Sequence, residues 1–299
     1  MRFIFKTNYA QDINIARHGG DKFWYSLLII LMLAMPLIID DFYLGEISYV
    51  CILAIAGIGL MILSGYTGLA SLGHAAFLGI GAYTHAFLLT NGIPFFASIP
   101  IVVIVSFMVG ALIGIPILRL TGMYLAIATL ALCFIAEHVF IKWEHFTGGN
   151  RGMPVPQPEI MGMSFYDSTT FYYVCLAFLI LSMFAAINIL RSPTGRAFVA
   201  IRDSEIAAQS LGVNLGLYKA LSFAISGAFT GLAGALLAHY IGYLAPDIFN
   251  IFLSLTLLLL IVVGGMGSLH GTVFGAIFVG SLPQLIAICR DYLPSSIGS

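Results

Sequence analysis

Charge is what this sequence has least of: of 299 residues only 12 are Lys or Arg and 13 are Asp or Glu, 8% in all, where a water-soluble domain carries about 25%. The scarcity is also uneven. Residues 23–39, 47–118, 120–136, 168–190, 220–246 and 248–289 hold no charged side chain, so each block can face hydrocarbon without desolvating an ion. An ordinary soluble surface is excluded. With 60% hydrophobic residues and a mean hydropathy of +1.03, the chain reads as a polytopic integral membrane protein. Its net charge of −1 and the lack of a basic stripe exclude nucleic acid as a partner.

Other absences narrow the class further. Cys51, Cys133, Cys175 and Cys289 lie singly in apolar blocks with no C-x-x-C spacing, which argues against a disulfide frame or zinc knuckle and for small buried hydrophobes. The apolar runs are continuous rather than alternating, so the spanning element is the helix and not the barrel strand. No G-x-x-x-x-G-K-[ST] occurs; if ATP drives the protein, another subunit holds it. The long blocks contain His74, His85, His239 and His270 but no carboxylate. No acid and base pair assembles at mid-membrane, so the chain is not read as an enzyme, and it carries no relay for protons or ions. No cofactor or metal is expected. A passive channel, or a transporter driven through its loops, remains.

What is present is helix. A crossing needs roughly 20 apolar residues, and the block 47–118 alone supplies 72. Spans are expected at 23–39, 47–64, 75–90, 96–118, 121–140 and 171–190. After Lys219 the segments 220–244, 250–264 and 272–289 fit either three crossings or two crossings plus a helix that enters and leaves on one side. The side of the C-terminus stays open. The fold class is therefore all-α: a transmembrane bundle of about 8–10 helices, broken or re-entrant segments included. The segment 23–39 follows a basic N-terminus as a secretory signal would, but Asp40 and Asp41 follow Ile39 in place of an A-x-A site, so it reads as a retained span. The organisation is a cytoplasmic segment 1–22, one transmembrane domain 23–290 and a tail 291–299.

Two places interrupt helical logic. Ser64-Gly65-Tyr66-Thr67-Gly68-Leu69-Ala70-Ser71-Leu72-Gly73-His74 lies inside the longest charge-free block and Gly264-Gly265-Met266-Gly267-Ser268-Leu269-His270-Gly271 inside the last. A shift of 197 residues superposes Ser71 on Ser268, Leu72 on Leu269 and Phe77 on Phe274, and an internal repeat is expected on that basis. Glycine-interrupted apolar segments in two halves point to a binding site near the midplane, although glycines also serve close packing. Gly65, Tyr66, Thr67, Gly68, Ser71, Gly73 and His74 are the candidate substrate pathway, with the backbone N–H groups from Ser71 to Ala75 as donors at a helix start. For His74 a structural role, donating to a backbone carbonyl, competes with that reading. Glu137, His138, Glu144 and His145 cluster at one helix end, but their spacing matches no zinc pattern, and they read as solvated side chains.

The segment 191–219 is the most specific. Ser192-Pro193 is a helix start and Gly212 a stop, and Ala197, Phe198 and Ile201 share one face of an amphipathic helix whose polar side carries Arg202 and Glu205. The run R-S-P-x-G-R-A-x-x-A-I-R-D-x-E-x-A-A-x-x-x-G, with Glu205-Ile206 in place of a literal E-A-A, resembles the coupling loop of branched-chain amino acid ABC transporter permeases, the LivH/LivM group. Residues 65–77, Thr147-Gly148-Gly149-Asn150-Arg151-Gly152 and 264–271 agree with it, and the resemblance covers about 45–290. It implies an all-α permease in a bacterial inner membrane. The permease would pair with a second permease subunit and two cytoplasmic ABC ATPases, and receive branched-chain or other hydrophobic amino acids from a periplasmic binding protein. It also implies Gly195, Arg196, Arg202, Asp203, Glu205, Ala208 and Gly212 as the ATPase coupling residues. The alternative from another class is a passive channel for a small neutral solute such as urea.

Lysine and arginine set the threading. Residues 1–22 and 191–219 carry four each, 141–170 carries two and 40–46 none, which places the first two in the cytoplasm and the others outside. A cysteine placed at Asn150 should therefore react with a membrane-impermeant maleimide added from the periplasmic side. Reaction only after the cytoplasmic side is opened would invert the whole arrangement.

Overall fold

A backbone at hydrocarbon depth has no water to bond, so each apolar block closes its hydrogen bonds internally as a helix. The computed structural model describes residues 32–37, 39–117, 120, 122–157, 159–160, 163–164 and 167–292. Helix α1 (Asp41–Leu60) runs on into a π-helical turn (Met61–Tyr66). It is followed by α2 (His74–Thr90), α3 (Phe95–Ile117), α4 (Met123–Lys142), the short α5 (Glu144–Thr147) and α6 (Ser168–Arg191). Then come α7 (Pro193–Asp203), α8 (Glu205–Ser210), α9 (Leu215–Ile241), α10 (Ile251–Gly264) and α11 (Leu269–Tyr292). Two-residue strands punctuate the connections: β1 (Met153–Pro154) pairs antiparallel with β4 (Tyr243–Leu244), and β2 (Glu159–Ile160) with β3 (Met163–Ser164).

Among the described residues six helices are long and apolar enough to cross a membrane: Asp41–Tyr66, Phe95–Pro116, Met123–Lys142, Ser168–Arg191, Leu215–Ile241 and Leu269–Ile286. The other two apolar helices are not. At 17 and 14 residues, α2 and α10 reach only about 26 and 21 Å against a core of about 30 Å. The crossing expected at 75–90 is thus a shorter helix preceded by the irregular segment 67–73, and at 250–264, where a crossing and a one-sided helix both stood open, a short helix follows the 3-10 turn at Pro246–Phe249. The expected span 23–39 lies largely outside the described residues; of it, a turn at Met35–Leu37 is described, with Tyr172 donating to the Met32 carbonyl at 2.8 Å.

The packing pairs two triplets of long, short and long helices, α1-α2-α3 and α9-α10-α11. Helix α1 runs antiparallel to α9: Tyr49 stacks on Tyr240 at 5.1 Å near one end, and a Cβ on Gly59 would meet the Ser226 carbonyl further along. Each short helix lies beside the first helix of the other triplet, in parallel. On α2, Phe77 faces Gly227, Gly81 faces Gly231 and His85 meets His239. On α10, Leu260 faces Gly57, and the turn beyond it brings Gly267 to Gly65. Each third helix then returns antiparallel, Gly110 and Gly114 of α3 against Phe223 and Ala220, and Thr272 and Gly280 of α11 against Gly57 and Val50. The same contacts recur with the triplets exchanged, as an inverted repeat requires. Its register aligns α2 with α10, so the 197-residue shift is corrected: Ser71 precedes a half-helix, whereas Ser268 lies in the turn between α10 and α11.

Small residues permit this closeness. A Cβ at Gly81 would run into the Gly231 backbone, and one at Gly234 into the Leu78 carbonyl, so van der Waals contact between backbones replaces the hydrophobic drive that lipid cannot supply. Gly81→Val should therefore force α2 off α9 at a cost of about 1–3 kcal/mol or more. Gly45→Ala, where nothing lies within 4 Å, should be neutral. Thermal midpoints of the detergent-solubilised protein read the difference, and equal midpoints would refute the backbone contact.

Candidate functional site

The N-termini of the half-helices meet at the centre of the bundle. Because α2 starts at depth, its first N–H groups lack intrahelical partners, and side-chain hydroxyls from other elements take them. Leu72 N–H donates to Thr129 Oγ1 on α4 at 3.0 Å, Gly73 N–H to Ser71 Oγ at 3.4 Å and Ala75 N–H to Ser254 Oγ on α10 at 2.9 Å. His74 is fully buried; its Nδ1 lies 3.0 Å from Ser71 Oγ and its Nε2 2.7 Å from Ser226 Oγ on α9. The expected carbonyl partner of His74 is thus replaced by two hydroxyls. On α10 the cap is local: Asn250 Oδ1 accepts from Phe252 N–H at 2.9 Å and from Leu253 N–H at 3.3 Å.

The candidate pathway residues divide into two groups. Ser71, Gly73 and His74 sit at this centre, where a Cβ on Gly73 would strike the Thr129 carbonyl. Gly65, Tyr66, Thr67 and Gly68 lie lower, at the end of α1, where the π-helical turn unwinds. Thr67 turns back on the chain, its hydroxyl donating to the Ile62 carbonyl at 3.0 Å, and Gly68 takes a left-handed φ of 76°.

That lower group touches the 191–214 connection. Arg202 on α7 donates from Nη1 to the Gly65 carbonyl at 3.1 Å and from Nη2 to Asp203 at 3.1 Å. Its side-chain stem lies against Gly68, and its guanidinium lies beside Gly267. One side chain of the connection therefore contacts the interruption in each triplet. The single amphipathic helix expected there is two, α7 and α8, divided at Ser204, whose hydroxyl caps α8 at Ala207 N–H. Ala197, Phe198 and Ile201 are buried, and a Cβ on Gly195 would strike the Leu190 backbone. Arg196 is exposed, and its Nη1 donates to the Arg191 carbonyl at 3.4 Å. Glu205 is engaged within the chain: its carboxylate is 2.7 Å from Lys219 Nζ, and Lys219 is nearly fully buried on α9. Ala208 is buried, whereas Ile206 and Leu211 stand out at 81% and 83% exposure. Gly212 closes α8 in a left-handed conformation at φ 86°.

Several of these partners carry no sequence signal. Ser226, Ser254 and Thr129 are ordinary helix hydroxyls until the fold delivers them to the start of α2. The same holds for a second buried chain of polar groups. Ser98 Oγ lies 2.9 Å from His85 Nδ1, His85 Nε2 lies 2.8 Å from His239 Nε2, and His239 Nδ1 lies 3.2 Å from Gln157 Oε1. This chain ties α2, α3 and α9 to the 143–157 connection, across a separation of 154 residues between the two histidines.

Comparison with known proteins places these features. Residues 42–290 match the family model described as branched-chain amino acid transport system / permease component. The high-affinity branched-chain amino acid transport system permease protein LivM of Salmonella typhimurium LT2 is 33% identical, over 93% of this chain and 71% of that protein. The LivM protein of Escherichia coli K12 is identical to the same extent over the same shares. The autoinducer 2 import system permease protein LsrC of Escherichia coli O9:H4 is 23% identical over 88% of this chain and 79% of its own. No solved structure matches.

The caps at the start of α2 are testable without any transport assay. Ser254→Ala leaves the buried Ala75 N–H without its acceptor, a loss of about 1–3 kcal/mol, Thr129→Val does the same to the part-buried Leu72 N–H just before α2, and each should lower the thermal midpoint in detergent. Unchanged midpoints in both would show that these hydroxyls do not cap α2.

Proposed function

Because the chain belongs to the family of branched-chain amino acid transport permease components, we propose that it is the membrane subunit of an ATP-driven importer of branched-chain or other hydrophobic amino acids. In this reading it sits in the bacterial inner membrane beside a second permease subunit. Two ABC ATPases bind the face carrying 191–214, and a periplasmic binding protein delivers substrate to the face carrying 143–157. The chain performs no hydrolysis itself.

The observation that carries this reading is the reach of Arg202. Apart from Lys219, which is paired with Glu205 near the start of α9, the described spans bury no charged side chain, so a proton or ion gradient has no acid or base at depth to act on and work must enter through a loop. Helix α7 is fastened to the bundle by Phe198 and Ile201, and Arg202 extends from it to the Gly65 carbonyl and the Gly267 turn. Glu205 is bonded to Lys219 of α9, which makes α8 a lever on that helix, while its side chain, 37% exposed, stays accessible to the ATPase. The exposed Arg196, Asp203, Ile206 and Leu211 are further residues this connection offers the ATPase. A pull on α7 and α8 would then reach the unwound end of α1, the start of α11 and α9 together. Between them the half-helix N-termini, now closed by Thr129 and Ser254, would open onto the substrate carboxylate, whose charge the helix ends favour.

In proteoliposomes holding the whole complex, leucine uptake should require ATP and the binding protein; uptake down a gradient without either would favour the channel. Arg202→Ala should leave assembly and ATPase activity in place while reducing uptake about tenfold or more. Gly212→Val, which forces a branched side chain into a left-handed conformation, should do the same. Wild-type uptake in both variants would reduce 191–214 to a connector.

A further inference from the structure

Two histidines face each other across the seam between α2 and α9, near its outer end. His85 is fully buried and His239 nearly so, and the ring of Phe95 on α3 packs against both, at 5.3 and 5.4 Å between centroids. Their Nε2 atoms, 2.8 Å apart, bond only when one of the two carries a hydrogen, so the direction of that bond belongs to the whole chain of partners. Gln157 sets it. Its Nε2 donates to the His239 carbonyl at 3.1 Å, which turns Oε1, an acceptor only, towards His239 Nδ1 and holds the ring hydrogen there. With neutral rings, His239 Nε2 then accepts from His85 Nε2–H, and His85 Nδ1 accepts from the Ser98 hydroxyl at 2.9 Å; the Phe95 carbonyl, 2.8 Å from the same hydroxyl, is its other acceptor. The hydrogens of the chain point from α3 towards Gln157.

Gln157 belongs to the 143–157 connection, which is fastened at further points. Val155 N–H donates to the Gly242 carbonyl at 3.0 Å, β1 pairs with β4 just beyond α9, and the Phe146 ring lies 4.7 Å from that of Phe87 on α2. Residues 153–157 and the outer end of α9 are therefore one piece, and the bond between the histidines links that piece to α2. A break in the chain leaves a buried nitrogen unpaired where no water replaces the partner, so the link resists parting. Helix α2 carries a displacement to its own start. His74, which meets Ser226 at the half-helix junction, stands about three turns, or about 16 Å, before His85.

We propose that Gln157, His239 and His85 pass the docking of the substrate-delivering protein from the outer face to the half-helix junction. A protein seated on the 143–157 connection displaces Gln157. His239 follows, held by two bonds, and His85 draws α2 with it, together with the caps at its start. Apolar side chains would fill this seam at less cost than two imidazoles that must be desolvated and paired; what the polar chain adds is a fixed register between connection and helix. The three are positioning residues, acting on the junction through α2, as Arg202 acts on the end of α1 from the opposite face. This route rests on the proposed delivery of substrate to the 143–157 face and adds how that event reaches the interior.

The test uses the complete complex in proteoliposomes, with the ATPase rate read against rising concentrations of the leucine-loaded binding protein. Gln157→Met removes both bonds of Gln157 at a half-buried position, and His85→Leu removes the link to α2. In each, the maximal stimulated rate should fall about fivefold or more, while the unstimulated rate and the concentration giving half of the effect stay at wild-type values. Gln157→Glu keeps an acceptor for His239 Nδ1–H and should retain the stimulation. Wild-type stimulation in Gln157→Met would overturn the route and leave the transport reading standing, as would a Gln157→Glu complex that responds no better than Gln157→Met. A rise only in the half-effect concentration would place Gln157 in the docking surface itself. A stimulated rate that falls only in step with the unstimulated rate and the thermal midpoint would make the chain a structural pin, and either result overturns the route. A wild-type complex that the loaded binding protein does not stimulate would overturn the transport reading as well.

Discussion

An interrupted helix inside a membrane leaves backbone groups that neither water nor lipid can satisfy, and the architecture follows from meeting that demand twice. Helices α2 and α10 start at depth, so their first N–H groups must be capped by whatever the neighbouring helices present. Thr129, Ser254 and Ser71 cap α2, and Asn250 caps α10. Those hydroxyls can arrive only if the helices bearing them approach closely, which requires the glycines at 57, 59, 81, 231 and 234. The close packing and the interruptions are therefore two sides of one solution. It is a neutral solution: at the junction the chain offers hydroxyls, an imidazole and helix ends.

The all-helical bundle was legible in composition alone, because six charge-free blocks of this length admit no other spanning structure. The broken segment at 64–74 was legible from its glycines and hydroxyls, and Arg202 was singled out through a family motif. Its partner in space was not, since a bond from residue 202 to a carbonyl at residue 65 leaves no trace in either stretch. The repeat was expected but placed in the wrong register. Ser-Leu with a nearby Gly-His resembles a duplicated motif, whereas the true correspondence lies in helix lengths and contacts, and α2 and α10 share almost no residues. The ion pair of Glu205 was not legible, because an acid seven residues before the helix stop at Gly212 gives no hint of a buried lysine fourteen residues on.

In the proposed transport reading, energy input and substrate handling meet in the same elements. The connection at 191–214 reaches the unwound end of α1 through Arg202 and α9 through Glu205 and Lys219. Both helices contact the half-helices, α9 beside α2 and α1 beside α10. In that reading a displacement at one end of the bundle would pass through Arg202 and the Glu205–Lys219 pair into rigid helices and on to the junction, in keeping with the domain movements by which loops drive packed helices. At the opposite end the 143–157 connection is fastened to α9 by Gln157 and by β1 against β4, so both ends of α9 are tied to connections.

The link between Arg202 and the unwound end of α1 can be replaced by a covalent one. A Cβ on Gly68 would stand 3.4 Å from the Arg202 Cβ, close to the separation of about 3.5–4.5 Å that a disulfide spans. In a Gly68→Cys, Arg202→Cys double variant within the full complex, ATP-driven uptake should be lost under reduction and restored when the bond forms, because a disulfide carries the same motion as the guanidinium. Uptake that stays lost after mass spectrometry has verified the bond, or that never depended on it, would contradict a coupling route through Arg202.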